Sequence, residues 1–345
     1  MKKTYLVLAA AAASIGLMCA SCASGDCLGA DDGKNGECCA QSPRIIQKDG
    51  ARLFEFRVGN SQFLMNPEEG ALLMSWKVRR ADGSFREVVY WPKDGPARGN
   101  IDTVKGGAPI FFPFSGISFA EGKANMWKTP TGEIRPMRKF GFTDNGKFEI
   151  VGVCKNEITL KFVHCDYSKK AYPFDFDLLV NYKFTPKSYT MQMTFINKTD
   201  IALPWGAGTH PYMGMPWHKN LTHADYRLVV DCQEAYHVDN AKGVLIPADF
   251  KNKSFDNPDM AARIHTKLKS GVFKYGPKSG DDDVTITMNE GNVGPTFSLV
   301  TWGKANESPF WAVEPWMVTP LSAGNNAPTV APHSNGVFKV QVKIK

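Results

Sequence analysis

From Arg44 to the C-terminus the chain is built of short runs in which apolar and polar residues alternate. Phe54, Phe56 and Val58 alternate with Glu55 and Arg57, and Ile158, Leu160 and Phe162 with Thr159 and Lys161. A period of two places successive side chains on opposite faces, so each run predicts a strand with one buried face. Leu178, Val180, Tyr182 and Phe184, then Tyr189, Met191, Met193 and Phe195, bracket Thr185-Pro186-Lys187-Ser188. That spacing predicts a hairpin. Val284-Ile286-Met288 and Phe338-Val340-Val342-Ile344 continue the pattern. No run with helical period follows the first twenty residues, and no repeat of fixed length is visible. Alternation sustained for about 300 residues without a linker predicts an all-β chain, one large antiparallel β-sandwich over 44–345.

The N-terminus obeys different rules. Lys2 and Lys3 precede a short apolar stretch from Tyr5 to Met18, and small residues Ala20 and Ser21 precede Cys22. The apolar stretch falls short of the roughly 20 residues a membrane span needs, so 1–21 read as a secretory signal peptide. Ala20-Ser21-Cys22 resembles a lipobox, which implies lipidation of Cys22 and an N-terminal lipid anchor in the membrane. The alternative is a plain secreted protein cleaved nearby. Residues 22–43, rich in Gly, Asp, Ser and Cys, read as a flexible tether. The expected location is outside the cytoplasm: a periplasmic or outer-membrane lipoprotein of a bacterium.

Composition narrows the classes further. Hydrophobic content of 43% and charged content of 22% are those of a globular chain. The formal charge of +7 includes Lys2 and Lys3 of the leader and forms no long basic run. Nucleic acid is therefore not an expected partner. Cys19, Cys22, Cys27, Cys38 and Cys39 crowd the first forty residues. In an oxidising compartment Cys27 could bridge to Cys38 or Cys39. Cys154 and Cys165 flank a hairpin turning at 155–157, too far out of register to pair, and are expected to be free, as is Cys232. No Cys/His spacing suggests a zinc site.

Gly, Pro and aromatic residues concentrate at 106–116, 203–216 and 309–324, the places where a rigid sandwich carries its binding loops. In the second, His210 stands between Thr209 and Pro211, after Gly206 and Gly208. A loop histidine can give or take a proton near neutral pH, though a structural histidine has the same composition. The two glycines are expected to let backbone approach a ligand. In the third, Glu314 stands among Phe310, Trp311, Ala312, Val313, Pro315 and Trp316. Burial there would raise its pKa and sharpen it as a base; a buried glutamate bonded to backbone amides is the alternative. Trp311 and Trp316 offer apolar platforms for sugar CH faces, or are core.

Together these segments resemble the aldose 1-epimerase (galactose mutarotase) family over roughly residues 50–345. The resemblance rests on Asn197-Lys198-Thr199-Asp200, on Leu203-Pro204 and on Gly206-Ala207-Gly208-Thr209-His210-Pro211-Tyr212. It rests also on Ala312-Val313-Glu314-Pro315-Trp316, on Gly106-Gly107-Ala108-Pro109-Ile110-Phe111-Phe112-Pro113 and on the opening turn Asn66-Pro67-Glu68-Glu69-Gly70-Ala71. It implies a galactose mutarotase-like supersandwich that takes a monosaccharide or modified sugar. Glu314 would take the proton of the anomeric hydroxyl and His210 would protonate the ring oxygen. The ring would open and reclose as the other anomer, with no cofactor and no metal. Phe140, Tyr212, Trp316, Trp311 and Pro113 would bind the substrate. A catalytic pair should share one pocket, roughly 5–8 Å apart, to leave room for two sugar oxygens.

The chain also departs from the family pattern. Phe140, in Lys139-Phe140-Gly141-Phe142, stands where the family has a second histidine, and Ile117 where it often has an arginine. The sugar-binding aspartate is sought among Asp281, Asp282 and Asp283. A non-catalytic carbohydrate-binding lipoprotein on the same fold is therefore the rival reading. A hexose-phosphate epimerase, which would use Arg135, Arg138 and Lys139, fits poorly with export.

Overall fold

Two antiparallel sheets face one another, and every strand that the alternation predicted belongs to one of them. The structure is a computed structural model that describes residues 42–239, 241–321 and 326–345. Cys22 and the tether up to residue 41 fall outside these residues. The larger sheet has thirteen strands. Its main path runs from Arg44–Lys48 through Ala51–Val58, Ser61–Asn66, Leu72–Arg79 and Phe85–Val89 to Tyr212–Gly214. It continues through Phe310–Trp316, Ser298–Trp302, Arg263–Thr266 and Glu234–Asp239 to Val244–Pro247. Two short strands, Gly208–Thr209 and Ile110–Phe111, branch from Phe310–Trp316. The second sheet has eight strands, with Phe176–Thr185, Ser188–Asn197 and Asn335–Ile344 at its centre.

The hairpin read from the sequence is present: Thr185 pairs with Ser188 and Leu178 with Phe195. Leu178, Val180, Tyr182 and Phe184 are all buried, as are Tyr189, Met191, Met193 and Phe195. Burying each such side chain is worth about 1.5–3 kcal/mol, which fixes the register, since a slip of one residue would turn the whole set to solvent. Across the interface Phe184 lies 4.8 Å from Phe56 and 4.5 Å from Phe63, ring centre to ring centre. Tyr189 meets Trp76 edge-on.

Helix is confined, among the described residues, to Asp166–Ala171 and three single turns. The six-residue helix was not anticipated from periodicity because one and a half turns are too few to show a period. Its start is a capping box, with Ser168 donating its backbone N–H to the sulfur of Cys165 and accepting the Cys165 N–H on its hydroxyl. Cys154, Cys165 and Cys232 form no disulfide among the described residues.

Candidate active site

Strand register brings the two candidate catalytic residues together. Tyr212 pairs with Ala312 and Gly208 with Trp316 in the same antiparallel alignment, so His210 falls opposite Glu314. The row continues through Val300, Ile264 and Tyr236. On the other side the His210 N–H donates to the Pro109 carbonyl at 2.9 Å. Because side chains alternate along Phe310–Trp316, Trp311 and Val313 enter the core between the sheets, while Glu314 and Trp316 point to the sheet's other face.

Glu314 Oε1 lies 3.1 Å from His210 Nε2, and both residues are buried, 1% and 4% exposed. The expected gap of 5–8 Å is not present; directly opposed residues on adjacent strands bring their side chains into contact. His210 Nδ1 and Glu314 Oε1 have no hydrogen-bond partner among the described residues. A buried glutamate satisfied by backbone amides, the alternative reading from sequence, would show such bonds. Burial favours the neutral form of each group. It drives the imidazole of His210 down to about 3, with Lys139 and Lys105 adding to the effect. It pushes the carboxyl of Glu314 well above its usual range, against the pull of Lys139.

Aromatic rings enclose the pair on two sides. Tyr212 lies 4.6 Å from the His210 ring, and behind it stand Trp302, Phe310 and Tyr90. On the opposite side Phe140 stacks on Phe111 at 4.2 Å, and Trp316 meets both edge-on. The backbone of Phe140 is left-handed, with φ 69°, and its N–H donates to the Gly116 carbonyl. That conformation costs a residue with a Cβ about 1–3 kcal/mol and clusters at functional sites. Gly141 follows with φ 73°, where a Cβ would lie 1.9 Å from the Phe112 carbonyl oxygen.

Of the residues expected to bind substrate, Phe140, Tyr212 and Trp316 therefore surround His210 and Glu314. Trp311 does not. It is fully buried on the sandwich side, where its indole N–H donates to His223 Nδ1 and its ring packs on Phe255. Pro113 is buried and accepts the Gly206 N–H through its carbonyl, a support for the loop. Two of the three aspartates are engaged elsewhere. Asp282 pairs with Arg86 and accepts from the Trp217 indole, and Asp283 pairs with Arg227 on the second sheet. Gly206 and Gly208 serve packing: a Cβ on Gly206 would meet Val318, and one on Gly208 would lie 2.8 Å from Ser115 Cβ and Trp316 Cδ1. Arg138 bonds the Gly141 carbonyl and Asn145, and Ile117 contributes its carbonyl to Leu321.

Sequence reasoning gave no role to Tyr90, Lys105, Trp302 or Phe310. Trp302 ends the strand Ser298–Trp302, but nothing in its neighbours announces that register sets it opposite Ala312.

Comparison with known proteins identifies the family and the fold. A family model for aldose 1-epimerase covers residues 64–321, about three quarters of the chain. The chain belongs to the aldose 1-epimerase family. It is similar to the protein LacX of Lactococcus lactis subsp. lactis, 24% identical over 238 residues, which cover 64% of this chain and 77% of that one. Among solved structures it resembles a galactose mutarotase related enzyme from Lactobacillus acidophilus, with TM-score 0.67 and 17% identity. That match covers 85% of this chain and 97% of the other. A galactose mutarotase-like protein from Lactobacillus casei gives TM-score 0.66 at 18% identity, over 85% and 100% of the two chains. The fold is thus the galactose mutarotase-like one.

Proposed function

We propose that this chain interconverts the α and β anomers of a free sugar by acid–base ring opening and reclosure. The observation that carries the reading is the buried contact of Glu314 with His210, 3.1 Å apart and free of competing side-chain hydrogen bonds among the described residues. The anomeric hydroxyl oxygen and the ring oxygen sit on one carbon, so both can meet a close pair from the same side. Moving a proton from Glu314 to His210 creates base and acid in one event. The Glu314 carboxylate, which Lys139 favours against burial, takes the proton of the anomeric hydroxyl. His210 gives its proton to the ring oxygen, and the bond between that oxygen and the anomeric carbon breaks. Rotation about the C1–C2 bond and the reverse transfers yield the other anomer and restore both groups. General acid–base catalysis of this kind contributes about 10²–10⁴-fold.

Saturation-transfer NMR across a panel of free sugars tests the reading. Exchange between anomers should exceed the buffer rate for at least one sugar and fall in Glu314→Gln. Exchange at the buffer rate for every sugar would overturn it. One observation favours the rival, a binder without turnover: Phe111, Phe140 and Trp316 make one flank of the pair aromatic. Calorimetric binding without exchange would decide for that rival. The leader sequence supports export and a lipid anchor at Cys22 as part of the same proposal.

A further inference from the structure

Glu314 and His210 are closed off from solvent, 1% and 4% exposed. A sugar must touch both, so some part of their surroundings has to give way. The strands themselves are poor candidates. Phe310–Trp316 is paired on both sides, with Tyr212–Gly214 and with Ser298–Trp302, and each of these is paired again beyond.

A loop segment beside the pair is held differently. At one end Ala97 is pinned: its N–H donates to Asp49 at 3.0 Å and its carbonyl accepts the Asn66 amide at 3.1 Å. At the other the Gly107 N–H donates to the Tyr90 carbonyl at 2.7 Å. Between these anchors every hydrogen bond of residues 100–105, among the described residues, stays inside the segment. Thr103 and Val104 donate their N–H groups to the Asn100 carbonyl, and the Lys105 ammonium donates to the Ile101 carbonyl at 2.6 Å. Two apolar side chains tie the segment down. Val104 joins a cluster with Trp91 and Ala97, and Ile101, 5% exposed, joins Phe111, Phe140, Ile264, Val300 and Trp316. Val300 stands opposite Glu314 and Ile264 opposite Val300, so Ile101 packs on the row of side chains that leads to the pair. Lys105 reaches the other flank, 5.7 Å from the centre of the Trp302 ring, itself 6.1 Å from His210.

The segment's charges are felt at the site. Burial lowers His210, and Lys139 and Lys105 add to the effect; burial raises Tyr212, and Glu314 and Asp102 add to that. Few packing contacts and hydrogen bonds turned inward mark an element that opens locally at little cost. Gly99 and Gly106-Gly107 bound it, backbone that absorbs a change in φ and ψ.

We infer that residues 99–106 form a lid over His210 and Glu314, with Ile101 as its plug. The inference rests on the proposed reading of that pair as acid and base. Closed, the lid keeps water from the proton transfers; opened, it admits the sugar.

The test is labelling of histidines by diethyl pyrocarbonate at pH 6, followed by peptide mass spectrometry on the full chain. It needs neither sugar nor turnover. His210, held down to about 3, is neutral at that pH and reacts whenever it is uncovered. His265, fully buried between the sheets, reports wider unfolding, and the exposed His333 reports the reagent. In the wild type His210 should label more slowly than His333 but about ten-fold or more faster than His265, because local opening is easier than global. Ile101→Ser should speed labelling of His210 by about ten-fold, the scale of losing one buried aliphatic side chain, and leave His265 within about two-fold. Equal rates at His210 and His265 in the wild type would overturn the lid, as would an Ile101→Ser variant that changes neither rate or raises both alike. Should that variant not fold by circular dichroism, the wild-type comparison decides alone. If His210 labels as a lidded residue and no sugar is exchanged, the lid stands and the anomerase reading fails. If sugars are exchanged while His210 labels no faster than His265, the lid alone fails.

Discussion

Gly208 faces Trp316 across the same strand register that sets His210 against Glu314, and a Cβ on Gly208 would lie 2.8 Å from the indole Cδ1. The glycine thus fixes where the indole stands beside His210 and Glu314. Gly208→Ala must displace Trp316 or Ser115, and overpacking of this kind costs about 1–3 kcal/mol. The urea midpoint should fall accordingly at unchanged m-value, and any sugar exchange should weaken with it. A midpoint equal to wild type would show that the indole yields freely.

Glu314→Gln keeps size and shape but cannot take a proton. Anomer exchange should fall by about 10²-fold or more, with sugar affinity little changed, since proton transfer belongs to the transition state. His210→Asn should do the same. Wild-type rates in both variants would remove the pair from the chemistry.

Stability should depend on pH through His210 with a definite sign. Its imidazole is held down to about 3 in the folded chain by burial. The unfolded chain therefore binds the extra proton first, and stability is lost as pH falls from about 6.5 towards 3, at up to about 1.4 kcal/mol per pH unit. His265, also held to about 3, acts in the same sense. Asp144, raised to about 6 by burial, acts in the opposite one: its contribution is present at low pH and lost as pH rises through that value. Glu314, also raised, shares that opposite sense. The difference between wild type and His210→Asn isolates one group. The variant should show a shallower loss between pH 6 and 4, measured by urea unfolding at each pH; parallel curves would contradict the assignment.

Trp311 and Trp316 should separate by function. Trp311→Phe removes a buried hydrogen bond to His223 and part of a core ring. The cost is about 1 kcal/mol for the bond plus a packing loss, and KM should hold. Trp316→Phe, on the site face, should change KM or kcat. Kinetics and urea midpoints on the two variants check this, and the reverse pattern would exchange their roles.

If Cys22 carries lipid, Cys22→Ser should move the protein from the membrane fraction to the soluble one. An unmodified N-terminus found elsewhere by mass spectrometry would exclude the anchor.

The strands were legible because alternation is a local property: Leu178 to Phe184 and Tyr189 to Phe195 state their buried face and their turn within eighteen residues. His210 and Glu314 could be singled out by their apolar and glycine-rich surroundings and by the family resemblance. Their 3.1 Å contact could not, since it follows from the pairing of strands about a hundred residues apart. The same pairing sorted the tryptophans. Trp311 and Trp316 sit five positions apart, an odd number, so one strand sends them to opposite faces, yet only the packing of the second sheet says which face is core. Asp282 and Asp283 look available in sequence and are taken up by Arg86 and Arg227, from strands far away in the chain. Sequence alone determined the alternating strands and the hairpin at 185–188, because period and turn chemistry act between neighbours. Tertiary structure decided the site, because its distances and its unpaired polar atoms depend on registers between strands that no local pattern encodes.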